Sequence, residues 1–483
     1  MRKNMKRIIA SILLVATLIM SMTALTSCFG GGTSNLPDFV MPEGGFDTET
    51  PIEITFYHCM GQGLQEALNY AIDDFKALYP NITIKQIHVS DYDGIRSQIK
   101  TEISVGDQPN LAICYPDHVA LYNSNNANAV QSLDALIDSG INGIGFTQAE
   151  KDNFIQGYYE EGTKFGDGKM YCFPLYKSTE VLYYNKTFFD ANGLAVPTTW
   201  EEMEAVCRQI KAIDPTSIPL GYDSEANWFI TMCEQYGSKY TSSTGDNFLF
   251  NNAENKAFVE EFATWFQEGL VTTQTLAGSY TSKLFTGASS TKCYMCIGST
   301  GGAGYQMPTY DTETGDASSA FEVGITPIPQ VDPANPKVIS QGPSVCIFKK
   351  DNPQEVIASW LFLRFLATDE SFQGQVSMKN GYVPVIKSIN ENPTYKAFLE
   401  NDSTTKIQAR AVKVAVEQQK AYYSSPAFSG SSVARDEVGK IISECFGNSK
   451  DKNGNPVTPE ALKAAIDKAF ADAVAECKYQ SGQ

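Results

Sequence analysis

The side chains that could carry out catalysis are few, and no local motif groups them into a site. The chain has three histidines, His58, His88 and His118, and contains neither an H-E-x-x-H zinc motif nor a G-x-S-x-G nucleophile motif. Acidic residues are plentiful, but a glycosidase needs two carboxylates about 5 to 10 Å apart, and no motif marks such a pair. The sequence therefore favours a binding protein over an enzyme, with an exported hydrolase as the competing class.

The eleven cysteines do not form a metal-binding or redox pattern. Cys293 and Cys296 are the one closely spaced pair, and in a strand their side chains face opposite sides of the sheet. No second pair or nearby histidine would complete a metal shell. We expect buried thiols, no metal and no cofactor; spacing alone leaves open whether any of the ten cysteines other than Cys28 pair.

Several polar and aromatic residues lie where predicted strands end, which is where parallel sheets commonly bind ligands. Tyr57 and His58 end the first strand, and Asp117 follows a later one. Trp228 lies away from the periodic helices and could present its ring to a ligand. The alternatives are a core tyrosine, a surface histidine, a helix-capping aspartate and a core tryptophan.

The loop Gly298–Gly304, which contains Ser299, also follows a predicted strand and could offer backbone amides to hydroxyl or phosphate oxygens. It lacks the lysine of a P-loop and the glycine spacing of a dinucleotide site. A tight turn is the alternative interpretation.

The order of predicted elements determines the fold class. Alternating residues in 52–57 and 82–89 predict strands, and helical spacing between them predicts the connecting helix. A second strand series begins at Val181, and Thr199 with Glu202 forms a capping box that predicts the start of a helix. The result is an α/β chain of parallel sheets covered by helices, long enough for two lobes.

The N-terminus has the pattern of an exported lipoprotein. Basic residues precede an apolar run that ends at Leu25-Thr-Ser-Cys28, a sequence that matches the bacterial lipobox. We expect residues 1–27 to be a signal peptide, Cys28 to carry diacylglycerol on the outer face of the cell membrane, and 28–51, rich in Gly and Pro, to be a flexible tether. An ordinary signal or a single uncleaved membrane helix is the alternative.

The net charge of -18 argues against binding nucleic acid or anionic lipid through surface charge. It places no restriction on a small ligand held in a cleft.

A series of segments resembles the extracellular solute-binding proteins of ABC sugar importers, which include maltose-, oligosaccharide- and glycerol-phosphate-binding proteins. The segments occur in the family's order along nearly all of the chain after the tether. They are Phe56–Gly61, Phe75–Ile84, Phe173–Lys186, Asn192–Leu194, Pro197–Glu202, Cys296–Gly302, Val323–Pro329, Gly342–Ile347, Ala358–Leu363 and Gly381–Pro384.

This resemblance implies a two-lobed fold of the periplasmic-binding-protein type, each lobe being a sheet flanked by helices. The N-terminal lobe would comprise 52–176 and 342–388, and the C-terminal lobe 177–341 and 389–480. Chain crossings near 176–178, 339–341 and 386–390 would act as hinges. The implied protein is a monomer that binds a carbohydrate between its lobes and delivers it to permease subunits.

The resemblance also implies ligand contacts. Asp117, Ser178, Gly342 and Tyr382 match contact positions of the family, and Glu180 is the companion candidate of Ser178. A plain hinge-strand role is the alternative for both Ser178 and Glu180.

One departure from the family bears on the ligand. Glycerol-phosphate binders use an arginine near their C-terminal helices, where this chain has the stretch Ser424–Ser432, and the next arginine, Arg435, is expected to lie too late to serve. A carbohydrate is therefore favoured over glycerol 3-phosphate, a glycerophosphodiester or a polyol. An adhesin or sensory lipoprotein on the same fold is a further alternative.

Overall fold

The structure is a computed structural model that describes residues 36, 38–124, 127–287, 291–308, 321–401 and 407–482. The predicted signal peptide and the predicted lipidation site, Cys28, lie outside the described residues. The chain folds into two α/β lobes, each built on a mixed five-stranded sheet.

The first lobe is built on the sheet with strand order β2-β1-β3-β11-β4. Its first three strands are parallel, as the alternation of strands and helices predicts, and β11 pairs antiparallel with both β3 and β4. The strands are β1 (Ile52–His58), β2 (Ile82–His88), β3 (Leu111–Cys114), β4 (Phe173–Pro174) and β11 (Ser344–Ile347).

The second lobe is built on the sheet with order β7-β6-β8-β5-β9. Strand β5 pairs antiparallel with β8 and β9, whereas β6 is parallel to β7 and β8. The strands are β5 (Glu180–Asn185), β6 (Leu220–Tyr222), β7 (Val271–Thr273), β8 (Met295–Ser299) and β9 (Val323–Thr326). A small parallel pair, β10 (Val338–Ile339) and β12 (Tyr422–Tyr423), lies beside the crossings.

Helices cover both sheets. Those of the first lobe are α1 (Gln62–Leu78), α2 (Tyr92–Ile103), α3 (Pro116–Tyr122), α4 (Asp134–Ile137), α5 (Gln148–Asn153), α6 (Gln156–Glu161), α13 (Pro353–Thr368), α14 (Glu370–Asn380) and α15 (Pro393–Leu399). Those of the second lobe are α7 (Lys186–Asn192), α8 (Trp200–Ile213), α9 (Glu225–Tyr236), α10 (Ala253–Gln267), α11 (Gln274–Ala277), α12 (Ser282–Phe285), α16 (Ile407–Glu417), α17 (Ser431–Gly447) and α18 (Pro459–Ser481). Short 3-10 helices occur at Thr300–Gln306, Ser388–Glu391 and Gln418–Ala421.

The predicted capping box at α8 is confirmed. The Thr199 hydroxyl accepts from the Glu202 amide at 3.1 Å, and the Glu202 carboxylate accepts from the Thr199 amide at 3.2 Å. Two otherwise unpaired backbone donors are thereby satisfied at the helix start. The helix then buries Met203, Val206 and Ile210 against the second core.

Two crossings between the lobes run side by side. The backbones of Ser178 and Gln341 exchange hydrogen bonds of 2.7 and 2.9 Å, and the next residue, Gly342, has φ of +99°. A Cβ at Gly342 would lie 2.7 Å from the Tyr176 carbonyl oxygen, so a larger side chain would push the two strands apart. The second segment of the C-terminal lobe, expected to start at residue 389, starts later in the chain, because Ile389 and Tyr395 pack into the first core.

The predicted flexible tether, residues 28–51, is packed against the first lobe from Asp38 onward. Lys349 bonds to the Asp38 carboxylate at 2.8 Å, and the Gln354 side chain bonds to backbone atoms of Gly45 and Asp47. The rings of Phe39 and Phe46 pack on the first core. This segment has no helical or strand periodicity, yet its few apolar side chains each pack separately against the lobe. Composition alone does not reveal such packing.

None of the helices in the described ranges is long and apolar enough to span a membrane. The described cysteines are free thiols, and Cys293 and Cys296 are both buried. The same part of the chain contains no group of three or more His, Cys, Asp or Glu side chains placed to hold a metal ion.

Candidate functional site

A cavity of about 130 Å³ lies between the two lobes. Both lobes and the second crossing contribute to its wall. The lining residues are Tyr115, Pro116, Asp117, Glu161, Ile230, Tyr240, Thr241, Ile339, Ser340, Gln341, Ser424, Ser425, Pro426, Ser431 and Arg435.

The first-lobe wall is formed where strand β3 leads into helix α3. Pro116 occupies the first helical position, where its missing amide costs nothing, and Asp117 follows in the first turn. The Tyr115 ring packs on Tyr92 with ring centroids 4.9 Å apart, and burial raises the pKa of Tyr115. The predicted position of Asp117 at the cleft agrees with this geometry; its contact with ligand stays a prediction.

The second-lobe wall holds an arginine that the sequence analysis rejected. Helix α17 begins at Ser431 directly after Gly430, whose φ of +104° turns the chain, and Arg435 therefore lies in the helix's early part, on the cavity wall. One guanidinium nitrogen, Nη2, donates to the Asn227 Oδ1 atom. Arg435 thus reaches the cavity although it was expected to lie too late in the chain, because the turn before α17 returns this helix to the cleft; whether it contacts ligand is not decided by its position.

A buried ion pair lies where the first crossing leaves the cavity. The Lys177 Nζ atom is 2.6 Å from the Glu161 carboxylate, and the lysine side chain is 0% exposed. The ammonium group also donates to the Gly342 carbonyl at 3.2 Å and to the Ser344 hydroxyl at 3.4 Å. The pair therefore joins helix α6, the first crossing and strand β11 behind the site.

Glu180 lies behind the cavity wall rather than on it. Its carboxylate accepts hydrogen bonds from the Tyr222 hydroxyl at 2.7 Å and from the Asn227 amide at 2.8 Å. Burial raises the pKa of Glu180 to about 7, although these two hydrogen bonds and the charge of Arg435 oppose the rise. Glu180 is therefore not part of the cavity lining in this geometry, and its contact with ligand stays a prediction.

Trp228 lies in the second core and not at the cavity, in contrast to the prediction from the sequence. Its side chain is 0% exposed and stacks on Tyr222 with centroids 4.8 Å apart, and Phe262 packs against it at 4.5 Å. The indole belongs to the second core and cannot serve as a platform for ligand.

The residues at the end of strand β1 lie away from the cavity lining. The Tyr57 hydroxyl donates to Glu102 at 3.0 Å, and burial together with that carboxylate raises the pKa of Tyr57 to about 12. His58 is buried, its ring packs edge-on against His88, and burial lowers its pKa to about 4. In this conformation neither residue lines the cavity, and their ligand role stays a prediction.

The other predicted contacts likewise fall outside the lining. Ser178 and Gly342 belong to the paired crossings, and the Ser299 hydroxyl accepts from the Gly301 amide at 3.1 Å. The Tyr382 ring packs against Tyr176 at a tilt of 55° with centroids 4.5 Å apart and fills the space above Gly301, where a Cβ would lie 2.6 Å from its ring. These positions hold the hinge and the interface between lobes together rather than line the cavity.

The lining residues that the sequence does not predict come from six separate places in the chain: 115–116, Glu161, Ile230, 240–241, 339–341 and 424–435. The serines of 424–432 carry a compositional signal, since they interrupt two apolar helices. Tyr240 and Gln341 carry no such signal in the sequence, because they reach the cavity only through the packing of segments that are distant along the chain.

One ion pair outside the cavity also joins the lobes. The Arg96 guanidinium, on α2, bonds to the Ser432 hydroxyl at 2.5 Å and to the Asp436 carboxylate at 3.0 Å, both on α17. The Arg96 side chain is 17% exposed. We call Arg96, Ser432 and Asp436 the interlobe latch, because their contacts exist when the two helices lie together.

Breaking the interlobe latch should weaken ligand binding without touching the cavity. A ligand that is held by both lobes binds the closed form, so a variant that favours opening lowers the apparent affinity. We expect Arg96→Met to raise Kd about two- to fivefold, the range expected from a part-exposed ion pair. Calorimetric titration measures it. Arg208→Met, which breaks an ion pair within the second lobe, should leave Kd unchanged; equal effects of both would contradict a latch.

The sequence also matches the family model described as bacterial extracellular solute-binding protein, over residues 70–402. Among curated proteins, a multiple sugar-binding protein of Streptococcus mutans is 27% identical over 32% of this chain and 33% of its own length. The sn-glycerol-3-phosphate-binding periplasmic protein UgpB of Rhizobium meliloti is 28% identical over 53% of this chain and 59% of its own length. The chain thus spans a third to under two thirds of these relatives.

Solved structures with the same fold cover most of the described chain. The GacH receptor of Streptomyces glaucescens has a TM-score of 0.65 at 15% identity, covering 89% of this chain and 100% of its own. UgpB of Mycobacterium tuberculosis in complex with glycerophosphocholine has a TM-score of 0.67 at 17% identity, covering 89% and 98%. The two-lobed fold predicted from the sequence is confirmed. The family model matches more than half of this chain, which therefore belongs to the bacterial extracellular solute-binding proteins.

Proposed function

We propose that this protein captures a small polyhydroxylated solute, a sugar in the first instance, and delivers it to the permease of an ABC importer. The observation that carries the proposal is the cavity between the lobes, walled by tyrosine rings and by hydroxyl, amide, carboxylate and guanidinium groups. Rings suit the CH faces of a sugar, and fixed polar groups suit its hydroxyls. The multiple sugar-binding relative supports this class of ligand.

The size of the cavity favours a small member of that class. Its 130 Å³ is below the roughly 300–1,000 Å³ of pockets for drug-sized ligands. A monosaccharide or a glycerol derivative therefore suits the closed form better than an oligosaccharide, which would need a more open cleft.

A second candidate is a glycerophosphate compound, and Arg435 is the observation that favours it. A guanidinium has five N–H donors in a planar fork that matches phosphate, and in the described chain Arg435 uses one of them on Asn227. The glycerol-3-phosphate-binding relatives support this alternative. Neutral sugar and phosphate ester differ in charge, so matched pairs of compounds distinguish them.

A thermal-shift screen on the chain without residues 1–35 tests both candidates. We expect one class among glucose, maltose, glycerol, sn-glycerol 3-phosphate and glycerophosphocholine to stabilise the protein. A ligand at a hundredfold excess over Kd adds about 2.7 kcal/mol, enough to raise Tm by a few degrees. Sn-glycerol 3-phosphate against glycerol isolates the phosphate contribution. Turnover of a chromogenic glycoside that disappears with one carboxylate would instead establish a hydrolase.

We also propose that the protein works as a monomer, anchored outside the cell membrane by a lipid on Cys28. The lipobox that ends the apolar N-terminal run supports the anchor. Metabolic labelling with a palmitate analogue should mark the full-length chain and fail to mark Cys28→Ala. Labelling of both would show attachment elsewhere.

A further inference from the structure

A hydrogen-bonded chain of five side chains lies behind the cavity wall. We call it the Glu180 network; its members are Tyr222, Glu180, Asn227, Gln341 and Arg435. Asn227 is its centre, because its side-chain nitrogen donates to Glu180 at 2.8 Å and to Gln341 Oε1 at 2.9 Å while its oxygen accepts from Arg435. Gln341 and Arg435 line the cavity, whereas Glu180 and Asn227 do not.

The partners of Asn227 leave its amide one orientation. Two of them, the Glu180 carboxylate and the Gln341 carbonyl oxygen, are acceptors, and the third, Arg435, can only donate. A flipped amide would place its oxygen against two oxygens and its NH₂ group against a guanidinium. Arg435, which can only donate, and Glu180, which also accepts from Tyr222, therefore together determine which way Asn227 faces.

The orientation of Asn227 determines what Gln341 and Arg435 can offer to a ligand. Because Gln341 Oε1 accepts from Asn227, the Gln341 side-chain nitrogen is the group left for the cavity. Arg435 is held through one nitrogen and keeps its other N–H groups. Two sets of donors are thus provided on one wall, suited to acceptor oxygens of a sugar hydroxyl or of a phosphate.

We infer that Asn227 and Glu180 are positioning residues that set the donor groups of Gln341 and Arg435 in the ligand cavity. The inference rests on the proposed function and deepens it, since it assigns affinity to residues that touch no ligand. Donors held in place before binding lose less freedom on contact with ligand.

The network is also attached to both crossings. The backbones of Gln341 and Ser178 are paired, and the Gln418 side chain donates to the Glu180 backbone oxygen at 3.1 Å. Gln341 therefore lies on a crossing between the lobes, whereas Arg435 lies on a helix of the second lobe. Because Asn227 bonds to both residues, it fixes the positions of their donor groups relative to each other.

The test compares ligand-free crystal structures and binding of the full mature chain and its Asn227→Leu variant. Leucine has nearly the same shape and no polar atoms. We expect the Arg435 and Gln341 side chains to leave their present positions. We expect Kd to rise about tenfold or more for whichever of sn-glycerol 3-phosphate, glucose and maltose the unmodified protein binds best. Asn227→Ala serves if the leucine variant does not fold.

A double-mutant cycle separates positioning from general damage. If Asn227 acts through Arg435, adding Asn227→Leu to Arg435→Ala should raise Kd by less than about threefold, well short of its effect in the unmodified protein. Thr231→Val removes another buried hydrogen bond from α9, to Tyr423, and should leave Kd unchanged.

Unmoved Arg435 and Gln341 side chains in the Asn227→Leu crystal would overturn the inference, as would full additivity with Arg435→Ala. If none of the three probes binds the unmodified protein, the proposed ligand class fails while the crystal comparison still decides the positioning role.

Discussion

Replacing Trp228 by alanine should destabilise the second lobe by about 3–5 kcal/mol, the usual cost of removing a buried tryptophan. The indole is 0% exposed and is surrounded by Tyr222, Trp200, Phe262 and Phe446. These rings belong to different elements of the lobe, so they cannot close over the space together. Urea unfolding followed by fluorescence and circular dichroism measures the change in the free energy of unfolding.

Two comparisons make the Trp228→Ala result specific. Trp228→Phe keeps most of the ring volume and should cost less than half as much, whereas Tyr479→Ala removes an aromatic side chain that is 81% exposed and should change stability by less than about 0.5 kcal/mol. If Trp228→Ala instead left the unfolding free energy intact and weakened ligand binding, the indole would be a cleft residue, as the sequence alone predicts.

The error over Trp228 has a physical origin in helix α9. Sequence analysis recognises a helix by an apolar stripe opposite a polar face. In α9 the residues 227–233 are buried all the way round, because the helix packs between strand β10, α10 and α17. A helix without a polar face shows no apolar stripe in its sequence. The pattern therefore places Trp228 in no helix and predicts an exposed ring.

The fold itself was predictable because it depends on local patterns. Strand alternation, helical spacing and capping residues each occupy a few consecutive positions, and the observed β1 and α8 begin where those patterns place them. The family-ordered segments then supply the arrangement of lobes. Neither source of information requires knowledge of which distant residues meet.

The cavity depends on such distant meetings. Arg435 reaches it because Gly430 turns the chain before α17, and Tyr115 reaches it from the other lobe, more than 300 positions away in sequence. Of the nine predicted ligand contacts, Asp117 lines the cavity and eight do not. Matching to family positions found residues of the paired crossings, Ser178 and Gly342, whereas much of the cavity wall is formed by loops and helix ends, which generally vary more than the elements they connect.

The second large effect should come from separating the buried ion pair of Lys177 and Glu161. Removing one partner leaves an uncompensated buried charge, because the side chains are 0% and 6% exposed, and such a loss typically costs about 3–5 kcal/mol. Lys177→Met leaves the Glu161 carboxylate beside the cavity, and Glu161→Gln leaves the ammonium, which is 0% exposed, with the Gly342 carbonyl and the Ser344 hydroxyl as its remaining partners. Each variant should therefore unfold at a distinctly lower urea concentration than the unmodified chain.

The double variant decides what the pair contributes. With Lys177→Met and Glu161→Gln together, no buried charge is left alone, and the loss should be much smaller than the sum of the single losses, since the gain from an ion pair roughly balances its desolvation. Lys151→Met is the matched control, because it breaks an exposed pair with Asp138 and should cost at most about 1 kcal/mol. Additive single effects would mean that the two side chains stabilise the crossing independently. A large coupling energy between the two substitutions would mean that the contact between Lys177 and Glu161 attaches the first crossing to helix α6. The crossing would then be held in place at Lys177.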